Sequence, residues 1–220
     1  MAKDRYIELV SSKMFIAIEG GDGTGKTTQV ELLCRWLEEQ GHVVTRCRDP
    51  GGTVLGESIR SILLHRDDIP MCLEAETLLY MAARAQLVRE IIRPALAAGK
   101  IVVSDRYLLS NIAYQGYGGG LPVEEVRKIG LFATGGLLPD LTVVLDMPVE
   151  EALARIDRML DRLESRGREF LERVRDGFLQ EAVRAADRIA VVRADRPVEE
   201  VHAAIRRIVE SMLVSRRSAT

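Results

Sequence analysis

The stretch MFIAIEGGDGTGKTT, Met14 to Thr28, decides how this chain folds. Its first five residues, Met14 to Ile18, are apolar throughout, too short for a membrane span and the right length for one buried strand. Gly20-Gly21-Asp22-Gly23-Thr24-Gly25-Lys26-Thr27 then fits G-x-x-x-x-G-K-[ST], the phosphate-binding loop. From Thr28 to Gln40 the spacing predicts a helix with Leu32, Leu33, Trp36 and Leu37 on one face. Glycines let the loop curl so that backbone N–H groups point inward, with no side chain between them and an anion. The helix start adds unpaired donors and the positive end of its dipole. Lys26 can reach β- and γ-phosphates, and the Thr27 hydroxyl is a hard oxygen ligand for Mg²⁺. A plain Gly-rich turn is the bland alternative, but four fixed positions matching by chance is roughly a one-in-a-hundred event in a chain this long.

At 220 residues the chain suits one domain with a sizeable core. A net charge of −2 leaves no global electrostatic footprint for nucleic acid, so the expected partner is small even if phosphorylated. No apolar run reaches transmembrane length, and residues 1–13, MAKDRYIELVSSK, are too charged for a secretory signal. They are expected to form a flexible extension before a single domain over 14–214 and a tail over 215–220. Cys34, Cys47 and Cys72 show no metal spacing or evident pairing, which suits a reducing cytoplasm, and Cys34 and Cys47 are expected to fill core space. His42, His65 and His202 form no triad or metal motif, so hydrolase readings lack their key residues.

Apolar, β-branched runs recur at Met14–Ile18, Val43–Cys47, Ile101–Ser104, Leu141–Leu145 and Ile189–Val192, with the low alternation of strands covered on both faces. Helical patterns lie between them, three of them opening on Pro122, Pro148 and Pro197 followed by acids. This alternation predicts a parallel α/β sheet with helices on both faces, whose ligands bind at the carboxyl ends of the strands. The residues there are Arg48-Asp49-Pro50-Gly51-Gly52, Asp105-Arg106-Tyr107 and Asp146. The first group is equally a plain turn or a functional one. Asp105 reads as an acid ordering Mg²⁺ or as a helix N-cap, and Arg106 as a phosphate clamp or an acid's partner. Gly116 to Gly120 reads as a flexible loop. On the helical stretch Leu73–Leu96, Tyr80 and Arg84 share a face, and a core tyrosine with a surface arginine is the simpler reading. Arginines from Arg155 to Arg175 read mainly as a solvated helix face, with one or two free to deliver charge to a transferring phosphoryl group.

Together FIAIEGGDGTGKTTQ, RDPGGT, LLYMAARAQLV, DRYLLSNIAYQG, PDLTVVLD, LDRLE and ADRPVEEV resemble the thymidylate kinase family, in the expected order from about Phe15 to Val201. The resemblance implies a five-stranded P-loop sheet flanked by helices, a short lid over about 155–168, a homodimer, and ATP- and Mg²⁺-dependent phosphorylation of dTMP. Gly20, Gly21, Asp22, Gly23, Thr24, Gly25, Lys26, Thr27 and Thr28 would hold the ATP phosphates, with Asp22 also near the dTMP sugar. Thr27 and Asp105 would hold the metal. Arg84 and Arg106 would grip the acceptor, and Asn111, Tyr114 and Gln115 would line its sugar and base pocket. Asp49 stands where the family often has Glu, and Tyr80 where it usually has a phenylalanine against thymine. Members carry a catalytic arginine in the phosphate loop or in the lid. The loop position here is Gly23, which leaves Arg162 in the lid, helped by Arg155 and Arg158. Two rival readings are a kinase of another monophosphate or of a deoxynucleoside, and a non-catalytic nucleotide switch.

Overall fold

A computed structural model describes residues 13–66, 68–157 and 162–217. The expected extension, apart from Lys13, lies outside the described residues, as do Arg158 and Asp161 of the expected lid. Five strands form one all-parallel sheet in the order β2-β3-β1-β4-β5: β1 Met14–Gly20, β2 Val44–Arg48, β3 Ile101–Asp105, β4 Leu141–Asp146 and β5 Ile189–Arg193. Each begins within a residue of the apolar run that predicted it. Each also ends later, because ladder pairing continues through the polar residues Glu19, Arg48, Asp105, Asp146 and Arg193. The two edge strands carry exposed residues, so coverage on both faces holds only for the three inner strands.

β1 is central, with Ile18 level with Asp105 of β3 and Gly20 level with Leu145 of β4. The loop after it therefore opens between the carboxyl ends of both neighbours. Its side chains alternate between faces. Met14, Ile16 and Ile18 pack with Leu33 and Leu37 of α1 (Lys26–Glu39) and with Ile205 and Val209 of the last helix, Val198–Arg217. Phe15 and Ala17 face the other layer, built on α3 (Leu73–Leu87) and the helix Arg168–Arg184. The last helix runs on past residue 214 into the stretch expected as a tail. No helix among the described residues is long and apolar enough to cross a membrane.

Two segments depart from expectation. The single helix predicted over 73–96 changes pitch: α3 passes into a π-helical turn, Val88–Ile92, and then α4, Arg93–Ala97. Pro94 has no N–H to donate to the preceding turn, and the wider turn absorbs the missing bond. Gly116 to Gly120 is not a free loop. A short helix α5, Leu108–Asn111, continues as a π-helical segment, Ile112–Gly118, against the helix Arg168–Arg184. A Cβ on Gly118 would lie 2.6 Å from Val174 and 2.8 Å from Phe170, so the glycine there serves close helix packing.

Candidate active site

The phosphate loop links β1 to α1. Gly23 has φ +80°, and a Cβ on it would lie 2.0 Å from the carbonyl oxygen of Ala152, so no side chain fits at that loop position. Lys26 is buried and its Nζ donates to the Gly21 carbonyl at 2.7 Å, 3.6 Å from Asp22. Burial lowers the Lys26 pKa, nearby Arg106 adds to this, and Asp22 opposes it. Thr24 Oγ1 also donates to the Gly21 carbonyl, at 2.8 Å. Thr27 and Thr28 are exposed at the start of α1, and Thr27 Oγ1 donates to Asp105 Oδ2 at 2.8 Å.

Arg106 takes a left-handed backbone, φ +69°, rare for a side chain of its size. Its N–H donates to the Ile18 carbonyl at 2.9 Å, while Nη1 donates to the Gly20 carbonyl at 2.9 Å and to Ser110 Oγ at 3.0 Å. Nη2 pairs with Asp22, and the guanidinium lies 5.2 Å from the Tyr114 ring centroid. Tyr114 donates its hydroxyl to the other Asp22 oxygen at 2.9 Å. Burial pushes the Asp22 carboxyl upward, but Arg106 and Lys26 outweigh it and hold the group well below the usual carboxylate range.

Under this cluster lies Glu19, fully buried in β1. Its Oε1 accepts from the Tyr107 N–H at 2.8 Å and the Ser110 N–H at 3.2 Å, and its Oε2 from Ser110 Oγ. It thus caps α5 from another strand and ties the segment bearing Arg106 to the sheet. Burial raises its pKa to about 7 against the opposing pull of Ser110, Arg106 and Tyr107. Sequence reading assigned Glu19 no role, although an acid directly after an apolar strand run, ahead of the phosphate loop, was the available signal.

Arg84 corrects the simpler sequence reading. It is 1 % exposed, the largest fully buried side chain described, not a surface arginine. Nε binds Asp49 Oδ2, Nη2 donates to the Tyr107 carbonyl at 3.3 Å, and the guanidinium lies 5.5 Å from the Tyr107 ring centroid. A charge that deep needs a partner, and the turn after β2 supplies it, so Arg48-Asp49-Pro50-Gly51-Gly52 does more than reverse the chain. Burial raises the Asp49 pKa and Arg84 opposes this, while Asp49 Oδ1 has no partner among the described residues. Tyr80 is a core residue, as the simpler reading had it.

Asn111 and Gln115 stand one turn apart and are hydrogen-bonded to each other. Gln115 also binds Glu76 of α3, which pairs in turn with Arg166 at 2.6 Å. Among the described arginines between 155 and 175, Arg168 keeps the expected exposed i,i+4 pair, with Glu172, but others reach across the fold. Arg166 reaches Glu76, Arg175 reaches Asp146 at 2.7 Å, and Arg173 donates to the Gly118 carbonyl at 2.9 Å. Arg162 donates to the carbonyls of Arg66 and Ile69, the latter at 3.1 Å, and is not among the residues lining the phosphate-loop cleft. Arg155 is.

That cleft has a volume of about 770 Å³ and gathers Lys26, Thr27, Asp49, Asp105 and Arg106 from three strand ends. Arg60 of α2 (Val54–His65) joins them, its Nη1 donating to the Pro50 carbonyl at 2.9 Å. Nothing in the local sequence separates Arg60 from an ordinary helix-surface arginine. Lys26, Arg60, Arg106 and Arg155, over acidic strand ends, can hold polyphosphate while offsetting the charge of a phosphoryl group in transit.

Glu19 gives the site a measurable pH signature. Its folded pKa of about 7 exceeds the ordinary glutamate value of 4.5, so its stabilising contribution is full below the lower value and is lost as pH rises through the upper. Urea unfolding across this range should show Glu19→Gln gaining roughly 3 kcal/mol on the parent chain between acid and mildly alkaline pH. A difference that does not vary with pH would mean that folding leaves the Glu19 pKa at its ordinary value.

The thymidylate kinase family profile matches residues 18–205. The thymidylate kinase of Clavibacter michiganensis subsp. michiganensis is 48% identical over 209 residues, covering 94% of this chain and 99% of the relative. That of Desulforudis audaxviator is 47% identical over 207 residues, covering 93% and 94%. A crystal structure of thymidylate kinase from Ehrlichia chaffeensis superposes with a TM-score of 0.75 at 32% identity, covering 90% of this chain and 98% of that one. With the phosphate loop, strand order and acidic strand ends in place, this match over nearly its whole length means that the chain belongs to the thymidylate kinase family.

Proposed function

We propose that the chain transfers the γ-phosphoryl group of ATP to dTMP, giving dTDP and ADP for DNA precursor synthesis. The observation that carries this is the cleft in which Lys26, Arg60, Arg106 and Arg155 converge beside the phosphate loop. A kinase of uncharged nucleosides would have no second anion for Arg60 and Arg106 to hold. A non-catalytic switch would not need cations on both sides of the loop.

Residues Gly20 to Thr28 cradle the ATP phosphates, with Lys26 reaching the β- and γ-groups. Thr27 Oγ1 and Asp105 Oδ2, hard oxygens 2.8 Å apart at the head of α1, suit Mg²⁺, which keeps several waters and takes few protein ligands. Bound there, Mg²⁺ would neutralise charge on the ATP phosphates. Asp22 receives the acceptor's sugar and, through Arg106, sets the position of the acceptor phosphate. Tyr114 beside Asp22 sterically opposes a ribose 2′-hydroxyl. Asn111, Gln115 and Tyr80 bound the base, and Arg84 supports it from below, held by Asp49.

Transfer is in-line. The bond from the γ-phosphorus to the bridging oxygen of ADP breaks as a dTMP phosphate oxygen bonds to that phosphorus. A phosphate monoester is already largely deprotonated at neutral pH, so the acceptor needs no general base. Positioning and charge neutralisation by Lys26, Arg106 and the arginines of the lid do the catalytic work. Because Gly23 excludes a side chain from the loop, that last cation comes from the 155–162 stretch. Arg155 lines the cleft, and Arg162 joins it on leaving the carbonyls of Arg66 and Ile69.

A homodimer fits the exposed apolar side chains on three adjoining helices: Val54 and Leu55 of α2, Leu78 of α3, and Ile129 and Phe132 of α6 (Val123–Thr134). Phe132, 88 % exposed, is far more apolar surface than a lone helix leaves to water without cause. Free thiols at Cys34, Cys47 and Cys72 suit a reducing cytoplasm.

ADP release measured over a panel of monophosphates and nucleosides should rise with dTMP; a response to another acceptor and none to dTMP overturns the substrate. Lys26→Met should keep the fold and lose on the order of 10²-fold or more in kcat. Arg162→Ala should lower kcat with little change in the dTMP KM, and a loss confined to KM would move Arg162 into the acceptor site. Phe132→Glu should convert a dimer in sedimentation velocity to a monomer, and an unchanged mass would place the interface elsewhere.

A further inference from the structure

Glu76, Gln115 and Asn111 form one buried polar line, at 1 %, 1 % and 2 % exposure. Their hydrogen bonds have only one consistent direction. A carboxylate accepts and cannot donate, and one Glu76 oxygen is already held by Arg166 Nη2 at 2.6 Å. The group Gln115 presents to the other oxygen, at 2.9 Å, must therefore be its NH₂. That leaves Gln115 Oε1 toward Asn111, so Asn111 turns its own NH₂ inward at 2.7 Å. The end of the line is Asn111 Oδ1, a buried acceptor with no partner among the described residues. A buried carbonyl oxygen left in that state costs free energy until a donor meets it.

We infer that Glu76 is a positioning residue for the choice of acceptor base: its carboxylate orients Gln115 and, through it, Asn111, so that a bare oxygen meets a base carrying a ring N–H. The inference rests on the reading that Asn111 borders the acceptor's base. Thymine and uracil carry a proton on N3 and satisfy Asn111 Oδ1. Cytosine has a lone pair on N3 and sets acceptor against acceptor. Discrimination thus comes from a carboxylate two residues removed from the ligand, because neither amide alone has a preferred direction. The same carboxylate holds Arg166, of the short 3₁₀ turn Glu164–Arg166, so the line is anchored to the stretch expected as the lid.

The test compares kcat/KM for dTMP, dUMP and dCMP in the full-length enzyme. Glu76→Gln restores a donor at the head of the line, allows both amides to turn over, and offers the base an NH₂. The dTMP-to-dCMP ratio should then fall at least about tenfold, through the dTMP KM, with the ATP KM little changed. Gln115→Met cuts the line but leaves Glu76 on Arg166, and should lower the ratio as well; it carries the test if Glu76→Gln does not fold. Arg166→Ala should affect both acceptors alike and leave the ratio in place. An unchanged ratio in a folded Glu76→Gln or Gln115→Met enzyme overturns the inference, as does an Arg166→Ala effect on the ratio as large as that of Glu76→Gln. A parent enzyme that ignores both dTMP and dUMP overturns the acceptor reading itself, a failure seen before any variant is made.

Discussion

The ion pair between Arg106 and Asp22 is the interaction on which the rest of the site depends. It closes the carboxyl end of β1 against that of β3. One partner belongs to the phosphate loop and the other to the segment that leads into α5, so neither can move without the other. Arg106 needs a left-handed backbone to make the contact, and its own N–H is tied to Ile18. Glu19 holds the same segment from beneath through Tyr107 and Ser110. Strain of this kind survives only where neighbouring contacts over-determine it, and such places are commonly functional.

The cost of the arrangement is desolvation. Lys26, Glu19, Asp49 and Arg84 are buried groups, and each would be destabilising alone. They are tolerated because they come as neighbours of opposite sign or with backbone donors and acceptors to hold them. Asp22 shows which effect wins when a cation is close enough: burial alone would raise its pKa, and two cations reverse the sign. Glu19 shows the opposite outcome, since its hydrogen bonds only partly offset burial. Two carboxylates three residues apart thus have their proton affinities moved in opposite directions by their surroundings.

A site so charged keeps its working groups preorganised. Lys26 is held on the Gly21 carbonyl and Thr27 on Asp105, so both side chains have fixed positions at the head of α1. The arginines of 155–175 are anchored in several directions, to Glu76, Asp146 and the Gly118 carbonyl. That spread links the stretch to α3, to the end of β4 and to the π-helical segment Ile112–Gly118.

The amino-acid sequence by itself determined the strands, the parallel α/β class and the place of the phosphate loop. Those are local properties: an apolar run of strand length, a Gly-rich motif between strand and helix, and prolines before acidic first turns are all legible within a few residues. Only the tertiary structure decided the charge partners. Arg84 looks like a surface residue until Asp49, thirty-five positions away, is seen to be packed on it. Glu76 and Arg60 carry no local mark at all, and Gly116 to Gly120 reads as a loop until the helix Arg168–Arg184 is laid against it. The physical reason is that a buried charge is set by whatever folding brings within a few ångströms, and distance along the chain carries no record of that.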